Sequence, residues 1–349
     1  MKNKLINKKN IIIVILAIFL ISIIVSMILR QNKETNDLPW VIKETYVTNG
    51  KGINIPLGST INYDPYTDVD KIKENTEVIV EKDKTGDTID QIFKIENNEK
   101  QKLIWKVLGT DNEGNILIMP TQNITDASGN TQKLTLANIQ GMKNGEEILN
   151  SICGIYGHGK GAKSARSIKV EDIDKLTGFD KTTYNKKSID GYGQTVTYSK
   201  NKESSVDITW NGNKFNKDFL IFLKPDGNFL ENKGDSVTIE NTFYNYRLLE
   251  YKTKIGNDAY DLITKDTDDI TDPNFIIGNH YWLGNSWIQT LPNYNIYYGM
   301  FSLSNSEISG DSLDDSVNHS KSCTNGVRPV VSLKPDIFIE EENGVWNIL

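Results

Sequence analysis

Four stretches of the 349-residue chain hold residue types at spacings that chemistry uses. The first is Gly154-Ile155-Tyr156-Gly157-His158-Gly159-Lys160-Gly161, close to a phosphate-binding P-loop. That loop needs Ser or Thr after the lysine to hold magnesium, and a strand before it. Gly161 takes the hydroxyl position and the preceding segment reads as a helix, so a Gly-rich turn is the favoured reading. The second is the histidine set, His158, His280 and His319, in which no pair has metal spacing and no C-x-x-C accompanies them. The third is acidic: Asp266, Asp268, Asp269 and Asp272, then Asp311, Asp314 and Asp315. Neither cluster has the D-x-D-x-D-G order of a calcium loop, so both read as solvated loops. With no G-x-S-x-G elbow and no identifiable carboxylate pair, no catalytic constellation assembles; the expectation is no enzyme, no metal and no cofactor.

The fourth stretch, residues 281–332, is the distinctive one. Trp282, Trp287, Tyr294, Tyr297 and Tyr298 are interleaved with Asn, Ser and Gly. Aromatics give contact area at low entropy cost and Asn or Ser give adaptable hydrogen bonds, the composition of a recognition surface. Trp287, Asn293, Tyr294, Asn295 and Tyr297 are therefore the candidate ligand-binding residues. The competing reading, aromatics as core and Asn/Ser as loop filler, weighs about equally.

Cys153 and Cys323 are the two cysteines. An oxidising compartment permits a disulfide between them, and two separate buried thiols are the alternative. Two cysteines do not make a disulfide scaffold, so the fold rests on its apolar core.

The compartment is argued from residues 1–30. Residues 11–29 are apolar except for Ser22 and Ser26 and carry no charge. At ~1.5 Å per residue this run spans roughly 28 Å, the depth of a bilayer's hydrocarbon core. Lys2, Lys4, Lys8 and Lys9 precede it. The positive-inside rule places residues 1–10 in the cytoplasm and the body outside. The run is longer than a signal peptide's apolar region and ends without an A-x-A-like site, so an uncleaved single-pass anchor in the cell membrane is favoured. Residues 1–30 hold +5 and the remainder −12 of the net −7. An acidic body argues against nucleic-acid binding.

The elements that must position these residues follow from pattern. Residues 30–50 read as a stalk, 51–340 as the exported domain and 341–349 as a terminal strand. A hairpin joins residues 103–108 to 116–119 across Asp111-Asn112-Glu113-Gly114. One helix runs from about Asn144, its expected N-cap, to Tyr156, and another from about Val170 to Thr177, stopped by Gly178. Short apolar runs near 78–80, 195–198, 206–210, 219–223, 237–239, 281–283 and 327–333 read as strands. The fold class is α+β, a mostly antiparallel β domain with two or three helices behind a transmembrane helix.

Tyr281-Trp282-Leu283 followed by Gly326-Val327-Arg328-Pro329-Val330-Val331-Ser332-Leu333 resembles the terminal phrase of a family of secreted or membrane-anchored proteins, of unknown function, from low-GC Gram-positive and related gut bacteria. Ile61-Asn62-Tyr63-Asp64-Pro65, Ile104-Trp105-Lys106-Val107-Leu108, Ile148-Leu149-Asn150 and Ala165-Arg166-Ser167-Ile168 are similar to earlier phrases of that family. The terminal phrase resembles those of C-type-lectin-like and formylglycine-generating-enzyme-like folds. The resemblance implies a C-type-lectin-like core. Trp282, Gly326, Arg328 and Pro329 are expected to be structural: Arg328 precedes Pro329 in an apolar strand, where a buried guanidinium must find several acceptors or a carboxylate. Leu291-Pro292-Asn293 lacks the Glu of the lectins' calcium motif, so that activity is not implied. The expectation is a surface protein that binds an extracellular protein or glycan; a pilus-like or envelope-assembly subunit is the alternative.

Overall fold

A computed structural model describes residues 39–65, 77–95, 99–184, 190–202, 205–218, 230, 232–265, 280–290, 296–314, 321–337 and 339–349. The chain is α+β and strand-rich, with mostly antiparallel sheets. Among the described residues no helix is long and apolar enough to cross a membrane. The expected anchor, residues 11–29, lies outside them, as do the expected strand at 219–223 and the acidic cluster at 266–272.

Two sheets carry the main core. The larger has seven strands in the order Ala162–Ser167, Pro329–Leu333, Ile116–Pro120, Trp105–Thr110, Thr60–Asn62, Val345–Ile348, Ile339–Glu342. Its centre is apolar on both faces: Ile116, Leu117, Ile118 and Met119 are all buried, and so is every residue of Pro329–Leu333. Such runs read as continuously apolar because neither face meets water. The second sheet has six strands in the order Tyr246–Arg247, Glu307–Ser312, Ile296–Ser304, Tyr281–Thr290, Ser322–Gly326, Lys133–Ala137. The helix Asn138–Gly154 packs against strands of both sheets and buries Ile148, Leu149 and Ile152 on its inner face.

This helix begins six residues before the expected N-cap. Gly141 and Gly145 are the reason both for the misreading and for the packing. A Cβ on Gly141 would lie 2.9 Å from the carbonyl oxygen of Thr85, and one on Gly145 would lie 2.8 Å from the sulfur of Met300. Glycine costs helix propensity, and tertiary approach of neighbouring elements compensates here. Asn144 lies inside the helix, its amide donating to the Lys84 carbonyl at 3.0 Å. The second helix occupies Val170–Thr177, with Gly178 in the left-handed region at φ 65°. The backbone N–H of Lys169 donates to the Asp172 carboxylate at 2.9 Å and closes its first turn. A third helix, Asn257–Thr264, has no counterpart in the sequence reading.

The chain changes sheets at Val327-Arg328. Ser322–Gly326 belongs to the six-stranded sheet and Pro329–Leu333 to the seven-stranded one. Arg328 is fully buried at this crossover. Its guanidinium donates to the side chain of Asn123 at 3.0 Å and to the carbonyls of Leu262 at 3.0 Å and Lys265 at 2.7 Å, while stacking 4.5 Å from the Tyr281 ring centroid. It thereby holds carbonyls at the C-terminal end of the helix Asn257–Thr264, where partial negative charge collects. Trp282 is also buried and donates its indole N–H to the Leu134 carbonyl at 2.8 Å.

The expected stalk at 30–50 is corrected from Trp40 onward. Val41–Lys43, Tyr46–Thr48 and Asn54–Pro56 form a three-stranded antiparallel sheet. Trp40 is buried; its backbone N–H donates to Gly114 at 2.9 Å and its indole N–H to Pro335 at 3.2 Å. Two smaller sheets complete the described part. Thr195–Lys202, Ser205–Trp210, Asn213–Asp218 and Ser236–Glu240 form a four-stranded sheet over its own small core of Val196, Tyr198, Val206, Ile208 and Ile239. Glu77–Val80 and Gln91–Lys94 form a two-stranded one.

Candidate functional site

The residues singled out as a recognition surface separate. Asn293, Tyr294 and Asn295 lie outside the described residues. Trp287 is not a surface residue: it is 4% exposed, and its ring packs 4.9 Å from that of Phe243. A slot for the indole is made by two glycines on neighbouring strands. A Cβ on Gly310 would stand 2.4 Å from its Nε1, and one on Gly299 would stand 2.8 Å from its Cζ2. Tyr297 is half-buried and packs against the main core. Of the two alternatives for the cysteines, the structure has two separate free thiols. Cys153 is buried on the inner face of the helix Asn138–Gly154, whereas Cys323 sits on the strand Ser322–Gly326 with its thiol donating to the Ser312 carbonyl at 3.5 Å. Burial pushes both thiols above their usual range.

A concavity lies elsewhere among the described residues, and the pairing of two strands creates it. Thr60–Asn62 and Trp105–Thr110 pair antiparallel at only two positions, Thr60 with Lys106 and Ile61 with Trp105. Beyond them the chains part. One continues through Tyr63, Asp64 and Pro65, and the other runs back through Ile104 and Leu103 to the 3₁₀ turn Glu99–Gln101. The space between them is a cleft of about 380 Å³, with Val345 also in its lining. That size is within the range of small-ligand sites, roughly 300–1,000 Å³.

The floor of the cleft is a rigid aromatic group. Trp105 and Tyr63 meet edge to face with centroids 5.1 Å apart, and Tyr156 tilts against Trp105 at 6.3 Å. The Tyr63 hydroxyl donates to the Tyr156 carbonyl at 2.6 Å and accepts the Gly159 N–H at 3.0 Å. Burial drives its acidity far below that of a free phenol, so it stays protonated. The Trp105 indole N–H has no hydrogen-bond partner among the described residues. The glycine-rich segment at 154–161 serves this floor. A Cβ on Gly159 would lie 2.5 Å from the Tyr63 ring, so the loop is glycine-rich to admit a tyrosine rather than a phosphate.

The rim is polar. The Gln101 amide donates to the carbonyls of Lys94 at 3.2 Å and Thr125 at 2.9 Å, which fixes the 3₁₀ turn. From that turn Glu99 and Lys102 stand exposed with 3.7 Å between carboxylate and ammonium. Across the opening are Asn62, its amide donating to Asn347 at 3.2 Å, and Asp64. Between them Ile104 leaves 57% of its surface in water. Sequence reasoning missed this site as a site. Its signal was present in two of the quoted phrases, Ile61-Asn62-Tyr63-Asp64-Pro65 and Ile104-Trp105, which the fold brings face to face.

A second polar group is buried away from the cleft. Asp174, on the helix Val170–Thr177, is 9% exposed and accepts the hydroxyls of Tyr244 at 2.6 Å and Tyr246 at 2.8 Å. Phe179 stacks on Tyr246 at 4.0 Å, and the Lys181 ammonium stands 5.4 Å from the ring centroids of both Tyr192 and Tyr244. Burial raises the Asp174 carboxyl to about 6, against the two tyrosine donors and Lys181, which lower it. Among the described residues no group of three His, Cys, Asp or Glu side chains converges as a metal site. Comparison of the chain with protein-family models, curated proteins and solved structures finds no match.

Proposed function

We propose that the chain is a single-pass, N-in cell-surface protein held by residues 11–29, whose exported domain binds an extracellular protein or glycan at the Ile61–Trp105 cleft. The observation that carries this reading is the cleft itself: a rigid, buried aromatic floor under a rim of exposed Asn62, Asp64, Glu99, Lys102 and Ile104. Sites of this form pair an apolar body with a few placed polar groups. A C-type-lectin-like core belongs to the same proposal. It is supported by the fully buried strand Pro329–Leu333, second in the seven-stranded sheet, and by the pairing of Val345–Ile348, near the C-terminus, with Thr60–Asn62, near the start of the domain.

The test has two arms. Protease added to intact cells should cut the domain but spare residues 1–10, and protection of the whole chain overturns the topology. The full-length protein in lipid nanodiscs should retain a ligand from combined protein and glycan arrays. Ile104→Asp, at an exposed position, should abolish that retention without lowering the melting temperature. Retention indifferent to Ile104→Asp removes the cleft from the proposal.

A further inference from the structure

Resting on the reading of the cleft as the binding site, we infer that its ligand is a neutral saccharide, bound through one or two pyranose units. Three features of the cleft select this class. The first is size: about 380 Å³ between two diverging strands admits a small ring system, not the surface of a folded partner. The second is charge. An anionic ligand needs clustered cations or converging N–H donors. Here the exposed Lys102 already faces Glu99 at 3.7 Å, and Asp64 adds a second carboxylate to the rim. Phosphate-, sulfate- or uronate-bearing ligands meet repulsion at such an opening. The third is the mixture of surfaces. An acyl chain would want an apolar opening, but carboxylates, an ammonium and an amide surround this one. Those groups accept from and donate to hydroxyls, while exposed Ile104 offers a face for the C–H side of a sugar ring. A ring with polar edges and an apolar face matches that arrangement.

The rim is also pre-organised. Gln101 ties the 3₁₀ turn to two backbone carbonyls, and Asn62 is held by Asn347. Ordering these groups on binding therefore costs little, which favours a small ligand that makes few contacts.

The experiment uses the full-length chain in nanodiscs, with indole fluorescence and calorimetry as readouts. The probes are β-1,4-linked glucose and N-acetylglucosamine tetramers, α-1,4-linked glucose and β-1,4-linked mannose tetramers, a galacturonate tetramer, and an uncharged extended octapeptide. At least one neutral tetramer should bind with a Kd of about 1 mM or tighter, indifferent to added salt. Ile104→Asp should weaken it at least about tenfold, and Glu99→Gln or Asp64→Asn about three- to tenfold, with the melting temperature kept. Ile104→Val, which keeps the apolar contact, should retain binding. The inference is overturned if no neutral tetramer binds at about 10 mM. It is equally overturned if the galacturonate or the peptide binds more tightly, or if Ile104→Asp leaves saccharide binding unchanged. Cleft-dependent binding of the peptide would leave the binding-module reading standing and remove only the saccharide. Loss of every cleft-dependent ligand on the arrays would remove both.

Discussion

Replacing Asp174 by Asn should change how stability depends on pH, because this carboxylate is buried at a cost to its charged form. Burial raises its pKa from an ordinary 3.8 to about 6. The folded state then holds a proton more tightly than the unfolded chain does. This contribution is favourable and complete below pH 3.8, and it is lost as pH rises through 6. A difference of about two units corresponds to up to ~3 kcal/mol, at ~1.36 kcal/mol per unit. At pH 7.5 the ionised Asp174 sits among Tyr244, Tyr246 and the Phe179 ring, while Glu171 adds repulsion and Lys181 partial relief. An asparagine is of the same shape. It keeps one acceptor for a tyrosine hydroxyl and carries no charge at any pH. The stability of Asp174→Asn relative to the parent should thus improve by up to ~3 kcal/mol between pH 4 and pH 7.5, most of it between pH 4 and 6.5. Urea unfolding of both proteins at half-unit pH steps measures this directly, and taking the difference cancels other titrating groups such as Asp111 and Asp126, whose hydrogen bonds lower their pKa values. A difference that stays flat across the window refutes the reasoning, and one that moves in the opposite direction means the tyrosine hydroxyls outweigh burial.

Other expectations follow from packing and hydrogen bonding. Gly310→Ala should destabilise by about 1–3 kcal/mol, because its methyl would enter the indole of Trp287; a denaturant midpoint unchanged from the parent's contradicts the glycine slot. Arg328→Lys should cost roughly 2–4 kcal/mol, since one ammonium cannot reach Asn123, Leu262 and Lys265 together and also stack on Tyr281; amide exchange should rise first in the helix Asn257–Thr264. Thiol labelling of the unfolded, unreduced protein should modify both cysteines, with Cys323 reacting faster than Cys153 under native conditions, and reductant should leave the melting temperature unchanged. Tyr63→Phe removes a hydroxyl that both donates and accepts, and should cost about 1–3 kcal/mol in thermal unfolding while loosening the 154–161 loop.

Local chemistry was legible wherever a few adjacent residues decide the backbone. The turn at 111–115 is such a case. Asp111 accepts the N–H groups of Glu113 and Asn115 at 2.9 Å each, and Gly114 takes φ 77°. Asp126, Gly129 and Asn130 repeat the same Asp-x-x-Gly-Asn geometry at the next turn. The helix Val170–Thr177 was legible for the same reason, with acids in its first turn and glycine at its stop. Illegible features were decided by residues distant in sequence. Nothing near Gly141 announces that Thr85 and Leu136 will press on it and make a glycine acceptable inside a helix. Nothing near Trp287 announces Gly299 and Gly310, so an aromatic among polar residues looked like surface and is core. The cleft shows the same divide. Its two phrases were noticed separately, yet their meeting depends on a two-residue strand pairing across more than forty positions. The helix Asn257–Thr264 is short, and part of what fixes it is Arg328, more than sixty residues away.

The way Trp40 is seated has a mechanical consequence. A pull on the chain from before Pro39 reaches the body through the backbone bond of Trp40 to Gly114 and its indole bond to Pro335. Tension is therefore delivered at once to the tip of a central hairpin and to the chain just past Pro329–Leu333, and the slender sheet of Val41–Lys43, Tyr46–Thr48 and Asn54–Pro56 lies downstream of that fastening rather than in the line of load. The domain would be dragged as a block before it could be unzipped from its leading edge.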